Sequence, residues 1–171
     1  MYKRSNGLEW TGTQLREARN DLRTTAEMLV GRLLFEYWRL ETALDLCLVW
    51  VDEGSAFDVR SKKIECFSFF QKLELLEADV RGLGANAGSP FYLAWVQRGH
   101  ALREQRNTLV HGRVGFDVTR GIVVVVSSRA TSTTLVSNEY NLAELEQVVG
   151  EAGILTQELR TLRSSFPLIK Q

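Results

Sequence analysis

The sequence predicts an all-α fold: a helical bundle of about four long helices, with a small β-hairpin or three-stranded insert before the last one. Three observations carry this expectation. Apolar residues recur at three- and four-residue steps along most of the 171-residue chain. That period gives way to alternation only between about residues 113 and 137. Glycines, prolines and capping residues fall between these stretches. No internal repeat, low-complexity tract or interdomain linker intervenes, so one domain over residues 1–171 is expected.

The first helix is expected over 12–53, with Leu15, Ala18, Leu22, Ala26, Leu29, Leu33, Tyr37, Leu40 and Leu44 on one stripe. Thr11 or Thr13 offers a cap, and Glu53-Gly54-Ser55 closes the far end. Such a helix is about 60 Å long at 1.5 Å per residue, and Gly31 is a place for a bend. From Leu33 onwards Leu34, Phe35, Trp38, Leu46 and Trp50 widen the stripe. A helix apolar on several sides belongs in the centre of a bundle or at a subunit interface.

A second helix is expected over 61–83, carrying Ile64, Phe67, Phe70, Leu73, Leu76 and Val80, and ended by the glycine-rich loop that follows. Ser89-Pro90 caps and opens a third over 90–111, with Gly112 as its C-terminal stop. Val114, Phe116 and Val118 then alternate. Thr119-Arg120-Gly121 makes a turn, Ile122 to Val126 is a β-branched run, and Thr131 to Val136 is a third extended candidate. Asn141-Leu142-Ala143-Glu144 has the form of a capping box; it opens a last helix over 141–164, ended before Pro167.

Composition narrows the function. Apolar content of 44% and charged content of 25% suit a globular protein with a proper core. Lys+Arg and Asp+Glu are equal at 21 each, so the chain lacks the broad positive field of a sequence-blind nucleic-acid binder. The exception is local. From Arg98 to Arg120, five arginines stand against Glu104 and Asp117, a net charge of +3. Cys47 and Cys66 sit in apolar runs without metal-ligand spacing and read as small hydrophobes. Five charges between Leu29 and Val51 argue against a membrane helix, and the N-terminus lacks a signal peptide's apolar core. A cytoplasmic protein without membrane attachment is expected. No Walker loop, Rossmann glycine pattern, zinc spacing or serine-nucleophile elbow is present, so no cofactor and no metal is expected.

The chemistry concentrates in Arg106-Asn107-Thr108-Leu109-Val110-His111-Gly112, at the end of the third helix. Arginine clamps phosphate oxygens with a planar fork of donors. Histidine takes or gives a proton near neutral pH. Those are the two groups that metal-free RNA cleavage needs. At about 100° per residue, however, positions five apart diverge by about 140° around a helix. Within one chain Arg106 and His111 therefore do not share a narrow face unless the last turn unwinds. Two copies of the chain around one groove would let the pair converge. A second reading fits the same residues: basic side chains in a last helical turn offset the carbonyl end of the dipole.

Arg106-Asn107 followed three residues later by His111-Gly112, at the end of a bundle helix, resembles the HEPN superfamily, marked by Arg, a polar neighbour, a short spacer and His. The match covers the motif itself, and the long helices before and after it fit the family's four- to five-helix arrangement. The β insert is not part of the minimal pattern. The resemblance implies a metal-independent endoribonuclease, dimeric, with motifs of two subunits meeting at a shared cleft. Carried onto this chain, Arg106 and His111 form the catalytic pair and Asn107 the polar neighbour. The family also includes members without nuclease activity that serve as toxin partners, ligand binders or scaffolds.

Supporting candidates are weaker. Arg103, one turn before Arg106, adds phosphate affinity or pairs with a nearby glutamate. Glu41, and after it Glu36, reaches the motif from a facing helix and fixes Arg106, or pairs with Arg39. His100 reads as a surface or partly packed histidine. Trp10, Trp38, Trp50 and Trp95 offer base stacking, although core or interface packing suits the three on helical stripes better. The leading expectation is a homodimer cleaving RNA, in a toxin–antitoxin or defence setting with an antitoxin or other protein partner. The alternative is a non-catalytic helical dimer acting as a binding module.

Overall fold

The computed structural model describes residues 11–83, 87–128 and 135–169. The readings placed on Trp10, on the loop at 84–86 and on the start of the third extended segment at 131–134 lie outside the described residues. The described residues form five α-helices and a small sheet: α1 (Gly12–Val49), a 3-10 turn (Val51–Gly54), α2 (Phe57–Glu65), α3 (Phe69–Gly82), α4 (Ser89–His111), β1 (Arg113–Asp117), β2 (Ile122–Ser128), β3 (Leu135–Asn141) and α5 (Leu142–Ser165). The protein is mostly helical, with a three-stranded antiparallel sheet before the last helix.

Helix α1 continues without a break through Gly31 and ends four residues earlier than expected. The segment expected as one helix over 61–83 is two. Ser68 leaves helical geometry at φ −65°, ψ 158°; its Oγ accepts from the Gln71 N–H while its own N–H donates to the Gln71 side chain at 2.9 Å. This capping box starts α3 afresh. The apolar spacing Ile64, Phe67, Phe70 continues across the break, so periodicity conceals it. The capping box expected at Asn141 and Glu144 is formed, with reciprocal bonds of 2.7 and 2.9 Å. The third strand is present at Leu135–Asn141 and runs five residues past the expected end at Val136.

The chain groups into two compact units. The first comprises the residues up to Leu34 together with Gln105–Val149. Its sheet has the order β1-β2-β3, and Arg113 pairs with Val126, Gly115 with Val124 and Val124 with Glu139. Val123 and Val125 are buried on one face of β2, as are Leu22, Ala26, Leu29, Leu109 and Leu145 within the same unit. The hairpin turn holds as expected. Asp117 accepts from Thr119 and Arg120, and Gly121 takes the left-handed conformation at φ +65°.

The second unit comprises Phe35–Glu104 and Gly150–Gln171. Leu40, Leu44, Leu48, Leu73, Leu76, Tyr92, Leu155 and Leu159 are buried in it. Trp95 is buried and donates its indole N–H to the Leu155 carbonyl at 2.9 Å. Trp38 and Trp50 are outside the core, at 61% and 53% exposed, so only the interface half of the core-or-interface reading applies to them. One cation is buried here. Lys72 Nζ lies 2.8 Å from both the Glu41 and the Asp45 carboxylates, one helical turn apart on α1. Burial disfavours the Lys72 ammonium, but its hydrogen bonds to Asp45 and Glu41 outweigh that and raise its pKa. Asp45 titrates above the usual carboxylate range, chiefly because burial penalises its charge.

Candidate functional site

The Arg106–His111 stretch forms the last turns of α4 within the first unit. Leu109 anchors it, buried on the core side. Helical geometry persists through His111, so the last turn does not unwind, and Arg106 and His111 point about 140° apart around the axis. The Arg106 guanidinium is partly buried and donates to the Asn107 side-chain oxygen at 3.0 Å. Asn107 thus steadies the arginine. His111 is exposed and makes no hydrogen bond or ion pair among the described residues.

Gly112 ends the helix, as expected. Its φ is not positive; the glycine is required by space instead. A Cβ at this position would lie 2.7 Å from the Thr108 carbonyl oxygen and closer still to Val125 of β2. The chain passes from helix to strand in that one residue, and Arg113 opens β1 at once. Arg113 is exposed and has no acidic partner among the described residues. It was counted in the cationic stretch but not singled out, and its position two residues beyond His111 is the signal that could have found it. Behind Leu109 a cavity of about 500 Å³ is lined by Gly31, Val114, Val125 and Leu145, with Glu27 the one ionisable group. It offers apolar surface and no phosphate ligand.

Arg103, Glu41, Glu36 and His100 lie in the second unit, each with a partner there. Glu41 accepts from Lys72, and Arg39 pairs with Glu36 at 3.1 Å. Lys72 itself was missed. Its place between Phe69, Leu73 and Leu76 on the buried stripe, with Glu41 and Asp45 spaced i,i+4 on α1, was the available signal. Arg103 stacks its guanidinium 4.9 Å from the Phe70 ring centre and lies 3.4 Å from Glu104. His100 is packed, with its ring 5.4 Å from Phe70 and its Nε2 3.3 Å from Glu74. The cationic stretch is therefore partly neutralised: Arg98 bridges Glu151 and Glu158, and Arg120 grips Glu139. No three His, Cys, Asp or Glu side chains gather among the described residues as a metal cage would require. No helix among them is long and apolar enough to cross a membrane.

No family model, curated protein or solved structure matches the chain. The likeness to HEPN proteins therefore rests on its own residues.

Proposed function

We propose that the protein is a metal-independent endoribonuclease of HEPN type, acting as a homodimer with Arg106 and His111 in a shared cleft. The observation that carries the reading is the His111 imidazole, exposed at the end of α4 with Arg113 two residues on and no acid paired with either among the described residues. In this mechanism His111 takes the ribose 2′-OH proton, or protonates the departing 5′-oxygen. The 2′-oxygen attacks the adjacent phosphorus and the P–O5′ bond breaks, leaving a 2′,3′-cyclic phosphate and a 5′-hydroxyl. Arg106, held by Asn107, stabilises the charge that grows on the phosphoryl oxygens. Because the two side chains diverge on one helix, the second subunit brings Arg106 of one chain to His111 of the other. DNA lacks the internal nucleophile and resists. Such an activity suits a toxin neutralised by a protein partner.

The test is cleavage of a mixed RNA pool by the full chain in the presence of chelator. Cyclic-phosphate ends that vanish with His111→Ala, in a protein of unchanged circular dichroism, support the reading. Intact RNA across varied substrates rejects it.

One observation favours the second reading, a non-catalytic helical dimer that binds a partner. On α1, Phe35 and Trp38 stand 59% and 61% exposed, with their rings 5.8 Å apart. Aromatic pairs of this kind are characteristic of protein interfaces. A dimer that leaves RNA intact but dissociates with Trp38→Ala fits that reading.

A further inference from the structure

A concavity of about 400 Å³ opens in the second unit, walled by Trp50, Tyr92, Arg160, Arg163, Pro167 and Leu168 among others. Among the described residues its lining carries two guanidinium groups and no carboxylate, although acids and bases are equal in the chain as a whole. Other arginines of this unit are matched by acids: Arg60 forks onto Asp79, Arg81 onto Glu77, and Arg98 onto Glu151 and Glu158. Arg160 and Arg163 have no ion-pair or hydrogen-bond partner among the described residues. Three apart on α5, they are neighbours on one helical face. Arg163 is half-buried, and its positive charge works against the burial that raises both Cys47 and Tyr92. All three residues line the pocket.

A half-buried cation without a counter-ion is costly. The carbonyl end of α5 offsets part of that cost. The same carbonyls disfavour an incoming anion, which is why one arginine would be a poor anion site and two make a better one. Cys47 contributes no reactivity: burial pushes its thiol up to about 12.

Its other wall is a positioned aromatic. Trp50 is exposed yet fixed. Its ring meets Phe57 edge-on at 6.0 Å, and a Cβ on Gly54 would lie 3.1 Å from the indole. Gly54 sits at φ +74°, after Asp52 and Glu53 at φ 55° and 57°. Three successive left-handed residues, two of them not glycine, are strained and persist only where the surroundings hold them. One tie is the Asp52 N–H, which donates to the carbonyl of Leu168, a residue of the pocket wall, at 2.7 Å.

We propose that this pocket binds a phosphomonoester bearing an aromatic ring, of which a nucleoside 5′-monophosphate is the simplest kind. The phosphate lies between Arg160 and Arg163, whose planar donor forks match its oxygens, and the base stacks on Trp50. The volume falls within the roughly 300–1,000 Å³ of small-molecule sites. These residues are separate from those of the nuclease reading, so either proposal stands without the other.

The experiment is calorimetric titration of the full chain with AMP, CMP, GMP and UMP, each compared with inorganic phosphate and with its own nucleoside. At least one nucleotide is expected to bind about tenfold more tightly than phosphate and than its nucleoside. The Arg160→Gln/Arg163→Gln double variant, which keeps length and polarity, is expected to lose about tenfold or more in affinity. Trp50→Phe is expected to bind more tightly than Trp50→Ala, and the thermal midpoint of each variant reports whether it has folded. Binding by none of the four nucleotides overturns the proposal. So does phosphate binding as tightly as every nucleotide, or undiminished affinity in a folded double variant.

Discussion

The body and the end of α4 treat their basic side chains in opposite ways. Along the body, Arg98 is held by two glutamates, His100 rests on Phe70 and Glu74, and Arg103 lies over an aromatic ring. At the end, His111 and Arg113 face solvent with no acid among the described residues to answer them. Satisfied charges explain why the helix is stable where it is. Unsatisfied ones in an exposed, fixed position remain available for a ligand or a proton. Sequence spacing alone does not separate the two histidines, since both lie on the same helix among arginines. What separates them is the partner that the fold supplies to one and withholds from the other.

The contrast is sharpened most by exchanging the histidines' fates. His111→Ala is expected to lower RNA cleavage by roughly 10²- to 10⁴-fold, the usual contribution of a general acid or base. His100→Ala is expected to leave the rate within about threefold, because its ring packs against other groups. Steady-state cleavage of one fluorescent RNA by both variants makes the comparison, and equal losses would erase it.

Gly112→Ala strikes the junction that presents His111. The added methyl meets Thr108 and Val125. Overpacking of this kind costs about 2–3 kcal/mol, or roughly 5–10 °C in midpoint for a chain of this size. A thermal melt checks it, and a midpoint unchanged from wild type would mean that the turn has room to spare.

Lys72→Met leaves Glu41 and Asp45 facing each other. The expected loss is about 2 kcal/mol, below the roughly 3–5 for a fully buried pair, because both acids reach water. The pH dependence has a definite sign. Lys72 titrates higher in the folded protein than in the unfolded chain. Its contribution is therefore complete below the ordinary lysine value and fades as pH rises through the folded one. Urea melts of the two proteins should differ at pH 8 and converge in strong alkali.

The smallest effect expected is that of Ser68→Ala, which removes the cap of α3 and costs about 1 kcal/mol. A urea midpoint identical to wild type would show that packing alone starts that helix.

Local signals in the sequence were read correctly where the decisive contact is itself local. The Asn141–Glu144 box and the Gly121 turn each depend on residues within a few positions, and both are present. The Ser68–Gln71 box was equally local, but a continuing apolar period hid it. Long-range choices were not legible. Periodicity shows that α1 is apolar on several sides, yet not that Trp38 and Trp50 stay exposed. It gives no means of pairing Glu41 with Lys72, 31 residues away. At the motif, spacing correctly implied that Arg106 and His111 diverge. The role of Gly112 depends on β2, which the helix signal does not contain.

The most direct test of the shared cleft uses two inactive chains. Arg106→Ala and His111→Ala proteins are unfolded together in equal amounts, refolded and assayed on RNA. If each site takes Arg106 from one subunit and His111 from the other, half of the dimers are mixed and each mixed dimer keeps one intact site. Cleavage should then return to roughly a quarter of the wild-type rate. Mixed dimers that form, as detected by differential tagging, but remain as inactive as either parent would contradict catalysis across two subunits.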